Sequence, residues 1–331
     1  MNVRSLAHRL GFGRLAYRLW HAPVGIVRRS IDAGGPLEQW RDHQAHAAMT
    51  VAAAQLSPQD LPLATGLPEI HFLTGARFWD QTALCFYSLQ RHAGQALPAV
   101  FHDDGSATDT IADRLGRLFP HARWRRHAEI VAMLDQHLPV ARFPVLRERW
   151  AAYPNIRKLI DVHVGSRGWK LVLDSDMLFF RRPEFLLAWL AAPARPLHLV
   201  DVEESYGYSP ALMRSLAGSP IPPLVNVGIT GLASESLDWE RLERWCRELI
   251  AAEGTSYYLE QALIAMLVAG QSCAVAPAAD YIVLPSPEEC RAPRAVLHHY
   301  VAGSKRGYFR HAWRIAQTAG VPPAHAKHPA A

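Results

Sequence analysis

Two acids, Asp174 and Asp176, stand one residue apart at the end of an apolar run, Lys170-Leu-Val-Leu-Asp174-Ser-Asp176, and apolar residues resume at once from Met177 to Phe180. Burying unpaired carboxylates is costly. A divalent cation between them accounts for the pair, and hard oxygen ligands suit Mg²⁺ or Mn²⁺, ions that bring substrate phosphates with them. The competing reading is two strand-end acids that cap a neighbouring helix or pair with Arg181 and Arg182. Much further along comes His298-His299-Tyr-Val-Ala-Gly303-Ser-Lys305. An imidazole can join two carboxylates on a cation. A glycine lets backbone approach a phosphate closely, and a lysine can neutralise it. For these two histidines the alternative is a strand-end pair packed against Tyr300.

The elements that must position these groups follow from periodicity. Glu69–Thr74, Leu97–His102, Lys170–Leu173, Leu197–Val202, Val225–Leu232 and Ala295–Val301 read as strands. Helical spacing marks Phe78–His92, with Gly94 ending it, and Asp109–Phe119 with Ile111, Leu115 and Leu118 on one face. Asn155–Val164, Leu237–Ile250 and Tyr257–Val268 read as helices too, and residues 37–55 as an earlier one. Strands alternating with helices predict an α/β fold whose mostly parallel central sheet is flanked by helices. Ligands of such sheets bind beyond the carboxyl ends of the strands, where Asp174 and Asp176 stand. No Gly-x-Gly-x-x-Gly follows the first strand and no P-loop occurs, which argues against dinucleotide and Walker-type sites.

The chain's 331 residues are half hydrophobic and one fifth charged, which excludes wholesale disorder and low complexity. No apolar run approaches the ~20 residues of a membrane helix. Four cysteines without a Cys-x-x-Cys pair make neither a disulfide scaffold nor a zinc or redox site, so a cytoplasmic setting is expected. Residues 1–31 hold six arginines and no acid. The total is +5, so the other 300 residues carry one net negative charge. The basic balance is an N-terminal property and predicts no nucleic-acid partner. That basic stretch either lies on an anionic membrane surface, at its inner face, or packs on the domain. Pro58, Pro62 and Pro68 mark a linker. The expected divisions are a helical appendage and linker over 1–66, a catalytic domain over 67–313 and a tail over 314–331.

In order along the chain, these motifs resemble the metal-dependent nucleotide-sugar glycosyltransferases of the GT-A fold. The likeness is strongest to the family 8 group that includes glycogenin and bacterial lipopolysaccharide galactosyl- and glucosyltransferases. Leu73-Thr74-Gly75 and Ser88-Leu89 resemble the opening strand and helix that seat the nucleotide. Lys158, sixteen residues before Asp174, resembles a basic residue that reaches the donor sugar. Asn226-Val-Gly228 resembles the Asn-x-Gly strand beside the sugar, and Glu260-Gln261 the helix that follows. His299 to Lys305 keeps the His-to-Lys spacing of the terminal His-x-x-Gly-x-x-Lys-Pro-Trp motif. However, Ala302 stands where that glycine belongs, Gly303 follows one position later, and Arg306-Gly307 replaces Pro-Trp.

The resemblance, which covers residues 69–313, implies Mn²⁺ or Mg²⁺ on Asp174, Asp176 and His299, bridging the phosphates of a UDP-sugar. It implies that Lys305 and Gly303 contact the diphosphate, and that Thr74, Gly75, Asp104, Lys158, Asp174 and Asn226 serve the donor. The reaction implied is transfer of a hexose to a hydroxyl of a saccharide, lipid-linked or protein acceptor, as in bacterial surface glycan synthesis. Candidates for activating that hydroxyl are Asp201 and Glu260, with Glu203 and Glu204 beside them. Tyr206 and Tyr208 are either a sugar-stacking pair or ordinary loop aromatics. Two other functions stay open. One is a phosphotransferase of the haloacid-dehalogenase type, with Asp174 as nucleophile. The other is a GT-A-like protein that binds nucleotide-sugar without turnover.

Overall fold

The computed structural model describes residues 35–318. The basic stretch 1–31 and the tail from 319 on lie outside the described residues. The chain divides into two units, Met1–Val51 and Ala52–Ala331. In the first, helix runs from Gly35 and continues as far as Ala54. The sheets and the candidate site below belong to the second.

Among the described residues ten strands form two sheets. The larger has the order β3-β2-β1-β4-β7-β6-β8, with β1 Ile70–Thr74, β2 Ala99–Asp103, β3 Ala122–Arg125, β4 Trp169–Leu173, β6 Leu197–Val200, β7 Val225–Ala233 and β8 Ala274–Val275. The smaller has the order β5-β10-β9, with β5 Met177–Phe179, β9 Tyr281–Val283 and β10 Leu297–His299. Strands β1, β2, β3 and β4 pair in parallel, and so do β6 and β8. In the larger sheet only β7 runs against its neighbours, antiparallel to β4 and β6, and in the smaller sheet β10 runs antiparallel to β5 and parallel to β9. The sheet is therefore mostly parallel and flanked by helices, as expected. The start of β7 comes to the same edge as the carboxyl ends of β1, β2, β4 and β6.

Local sequence accounts for the elements around that edge. Helix Trp79–Ala93 ends at Gly94, whose φ of 71° is left-handed and costs glycine little. Helix Asp109–Leu118 starts at Thr108, whose hydroxyl accepts from the Ile111 N–H, and buries Ile111, Leu115 and Leu118. Phe72, Phe86, Phe101 and Phe119 meet with ring centroids 4.8–5.9 Å apart, joining β1 and β2 to these helices. Each such buried side chain contributes about 1.5–3 kcal/mol. A second apolar cluster gathers Trp245, Leu242 and Leu249 of helix Trp239–Glu253 with Leu263 and Met266 of helix Leu259–Leu267.

Several elements differ from their expected extents. Residues 154–164 form a 3₁₀ turn, Pro154–Ile156, before helix Arg157–His163. The last strand covers only Leu297–His299 because its partners β5 and β9 are three residues long. Strand β6 stops at Val200, where the Asp201 carboxylate turns back to accept from the Val202 N–H. Tyr206 and Tyr208 are buried. The Tyr206 hydroxyl donates to the Pro222 carbonyl and accepts from the Val225 N–H, so it braces the entry to β7 and does not offer a stacking face.

Candidate active site

Asp174-Ser175-Asp176 is the turn that carries the chain from β4 in one sheet to β5 in the other. Three elements clamp it. The Asp174 N–H donates to the Gly228 carbonyl on β7 (2.8 Å), and the Tyr300 N–H after β10 donates to the Asp176 carbonyl (2.9 Å). The Ser175 hydroxyl lies 2.7 Å from that of Thr82, on helix Trp79–Ala93. Antiparallel pairing sets His299 opposite Met177 and so beside both acids.

Neighbours fix the orientation of His299. The Gly228 N–H can only donate, and it points at Asn226 Oδ1 (2.9 Å). That atom is therefore the amide oxygen. His299 Nδ1, 3.1 Å from the same oxygen, must then carry its proton. Nε2 is left facing the acids, 3.6 Å from Asp174 Oδ2 and 3.4 Å from Asp176 Oδ1, where it holds either a proton or a cation. The Asn226-x-Gly228 spacing serves both ends of this chain. A Cβ on Gly228 would sit 2.4 Å from the imidazole, so the ring fits only over glycine.

The three donor atoms lie within 4.8 Å of one another. A bare nitrogen facing two carboxylates is repulsive unless a proton or a cation stands between them. Two oxygens and one neutral imidazole form a donor set that fits Mn²⁺ or Mg²⁺. Charge is distributed to match. Lys305 Nζ lies 3.0 Å from Asp176 Oδ2. Burial opposes ionisation of Asp176, but His299 and Lys305 hold its carboxyl well below the usual range. Lys158 Nζ lies 2.5 Å from Asp174 Oδ1 and 3.2 Å from Glu260 Oε2. Burial works against its charge, yet these two acids hold it above the ordinary lysine value. Burial pushes Glu260 up to about 8, against the pull of Lys158.

These groups open on a cleft of about 400 Å³. Of the residues expected at the site, Lys158, Asp174, Asp176, Asp201, Asn226, Glu260, His299 and Lys305 line it, as do Glu203 and Gln261. Asp201 Oδ2 accepts from Asn226 Nδ2 (3.1 Å) and Gln261 Nε2 (3.0 Å), which fixes the carboxylate on the cleft wall. Four of the expected residues stand elsewhere. Thr74 is buried, 2.8 Å from the Thr82 hydroxyl. Gly75 lies under Asp104, whose carboxylate a Cβ would strike at 1.9 Å. Asp104 in turn accepts from the Ser106 N–H and hydroxyl. Gly303 lines a different cavity. Of the two histidines, His298 is buried between the Tyr300 hydroxyl (3.0 Å) and Glu289 (3.2 Å), away from the acids.

The cleft also has a wall for which the sequence has no motif. Tyr153, Tyr257 and Tyr258 line it in edge-to-face contact, and Tyr257 is 71% exposed. Two adjacent aromatics in the loop between Gly254 and helix Leu259–Leu267 are the signal that was available.

No family model matches the chain, and no curated protein matches its sequence. The chain is similar in structure to solved glycosyltransferases. Mouse xyloside xylosyltransferase 1, in its apo form, is 14% identical. The match covers 70% of this chain and 97% of that one, with a TM-score of 0.48. The galactosyltransferase LgtC, solved with donor and acceptor sugar analogues, is 15% identical over 77% of this chain and 98% of that one, with a TM-score of 0.48. The mannosyltransferase Ktr4p from S. cerevisiae is 9% identical over 69% and 76%, with a TM-score of 0.42.

Proposed function

We propose that the chain is a metal-dependent glycosyltransferase that moves a hexose from a UDP-sugar to an acceptor hydroxyl. One observation carries this reading. Asp174, Asp176 and a tautomer-fixed His299 converge with Lys305 in a cleft at the carboxyl edge of the sheet. A donor set of this kind suits a divalent cation, and a lysine beside it suits a diphosphate.

Asp174, Asp176 and His299 would hold Mn²⁺ or Mg²⁺. The ion, when bound, supplies Lewis-acid stabilisation of the departing nucleoside diphosphate. Lys305 adds positive charge on the same side, so no protein acid is required to protonate the leaving group. Lys158 reaches the cleft between Asp174 and Glu260, where its ammonium would meet the donor sugar. Asn226 and Gln261 hold Asp201 in place. Asp201 and Glu260 are the carboxylates for receiving the acceptor proton. Tyr257 and Tyr258 border the same space, and the acceptor is a saccharide, free or lipid-linked, or a protein.

Calorimetric titration of UDP, with and without Mn²⁺, tests the reading. Mn²⁺-dependent binding is expected, with loss of roughly 100-fold or more in Asp176→Ala, because the substitution removes a ligand of the ion. Absence of UDP binding with any divalent metal would overturn it. Among the described residues no helix is long and apolar enough to cross a membrane. A cytoplasmic setting, with residues 1–31 attaching the chain to the inner face of a membrane, belongs to the same proposal. Deletion of 1–31 should weaken sedimentation with anionic vesicles, and unchanged sedimentation would remove the membrane from it.

A further inference from the structure

Helix Gly35–Ala54 turns an unusual side to water. At about 100° per residue, Leu37, Trp40, Gln44, Ala47, Ala48 and Val51 fall within an arc of roughly 100°. All six are exposed. Leu37 and Trp40 are each 59% exposed and Val51 is 57% exposed. Five of the six are apolar and none is charged. The helix's two acids, Glu38 and Asp42, lie outside the arc, and Arg41 at its border reaches Glu38 at 2.6 Å. A helix of a globular protein normally does the reverse, with charged side chains in solvent and apolar ones covered. Single exposed apolar residues call for no explanation, but a contiguous face led by Leu and Trp marks an interaction surface.

The charge beside this face points to what covers it. Residues 1–31, next to the helix in the chain, hold six arginines and no acid, and Arg28 and Arg29 close that stretch. A second copy of the chain would bring six more arginines to the same place, with no acid on the arc to meet them. An anionic bilayer offers apolar depth to Leu37, Trp40 and Val51, and opposite charge to the arginines. Tryptophan suits the boundary between headgroups and acyl chains. We infer that the face of Leu37, Trp40 and Val51 docks on an anionic lipid bilayer. The helix is not long and apolar enough to cross a membrane, so it lies in the plane of the surface. Such docking rests on the membrane setting proposed above and is independent of glycosyl transfer.

Full-length protein is sedimented with vesicles of equal parts phosphatidylglycerol and phosphatidylcholine. Leu37→Gln and Trp40→Gln, combined in one variant, should weaken partitioning about tenfold or more, because two large apolar side chains no longer enter the bilayer. Both side chains are exposed, so the urea midpoint should stay that of wild type. A second readout uses vesicles with brominated acyl chains, which quench a tryptophan that reaches them. Trp40 is the one exposed tryptophan among the described residues. Trp40→Phe keeps an apolar ring, so it should sediment like wild type but lose much of the quenching. Equal partitioning of the double variant and wild type overturns the docking face, and so does quenching that Trp40→Phe retains in full. A dimer that the double variant abolishes and vesicles do not affect overturns it too, and gives the face to a second copy. Deletion of 1–31 separates the arginines from the helix. Weaker sedimentation of the deletion alone leaves the arginines binding without this face, and weaker sedimentation of the double variant alone leaves the face binding without the arginines. Mn²⁺-dependent UDP binding by the double variant reads the transferase site alone, so either can fail without the other.

Discussion

His299 and the His71–His102–His163 group are both buried histidine environments close to the same sheet, and they differ in every neighbour that matters. His71 on β1 and His102 on β2 lie with Nδ1 and Nε2 3.0 Å apart, and His163 Nδ1 lies 3.0 Å from the Ser234 hydroxyl. The charged groups that bear on these rings are Lys170, Arg123 and Arg125, all cations. Burial first, then those cations, pushes His102 down to about 3. Burial and Lys170 bring His163 to about the same value. His71 Nε2 and His102 Nδ1 have no hydrogen-bond partner. These rings are neutral packing groups. His299, in contrast, has two carboxylates on one side and an amide oxygen on the other. An imidazole binds a cation only where its neighbours aim a bare nitrogen at other anionic donors. Burial alone makes it inert.

The sharpest way to break this comparison is to remove a ring from each side. His299→Ala should lower Mn²⁺ affinity roughly 100-fold or more, since even the outer partners of a ligand are worth about 10–100-fold. His102→Gln should leave that affinity unchanged. Free-Mn²⁺ titration followed by electron paramagnetic resonance reads both. Equal loss in the two variants would mean that the fold, and not the ligand set, controls the metal.

A smaller effect sharpens the other side. Neutral His102 and His163 bind no proton in the fold until about pH 3, whereas in the unfolded chain they take one near 6.5. Between those values the unfolded state holds more protons, so stability falls as pH falls from 6.5 toward 3. At pH 5 the loss is about 2 kcal/mol for each imidazole. Asp161, whose carboxyl burial pushes up to about 7, works in the opposite direction, gaining stability as pH falls. The measurement is therefore the difference between wild type and His102→Gln in urea midpoints at pH 7, 6 and 5. The variant should lose less stability on acidification. Parallel curves would show that His102 is not kept neutral.

The sequence shows the two acids and the strand that ends in them, because three apolar residues, Leu171 to Leu173, run straight into Asp174-Ser-Asp176 and apolar residues resume after it. Asn226-x-Gly228 was legible as a pattern. Its purpose, to orient His299 and make room for its ring, needed the pairing of β4 with β7 and of β5 with β10, which lie far apart in sequence. The choice between His298 and His299 was not legible. Adjacent strand residues face opposite ways, and only the positions of Glu289 and Asp176 decide which ring meets which acid. Strands β5, β8, β9 and β10 have two or three residues each, too few to display alternation. Tyr206 and Tyr208 showed no sign of their burial, because a loop aromatic reads the same whether it faces inward or outward.

The smallest effect concerns the turn that brings Ala302 and Lys305 to the cleft. Ala302 stands where the resembled motif has its glycine, and its backbone has φ of 45°, in the left-handed region. Gly303 beside it is not among the positive-φ residues, and a Cβ there would meet nothing within 4 Å. The conformation that calls for glycine thus remains at position 302, occupied by an alanine, while the glycine next to it is not required by its backbone. A left-handed conformation costs an L-residue about 1–2 kcal/mol. Glycine removes that cost but gives back roughly 0.5–1 kcal/mol through the greater freedom of the unfolded chain. Ala302 is exposed, so its methyl group contributes little packing. Ala302→Gly should therefore stabilise the protein by roughly 0.5–1 kcal/mol, read as a higher urea midpoint. The same change frees the backbone beside Lys305, so UDP affinity should fall slightly, by less than the factor of ten that about 1.4 kcal/mol represents. A lower midpoint would show that the turn is not strained at 302. A loss of UDP binding as large as that of Asp176→Ala would show that the rigidity of this turn matters as much as the acids it faces.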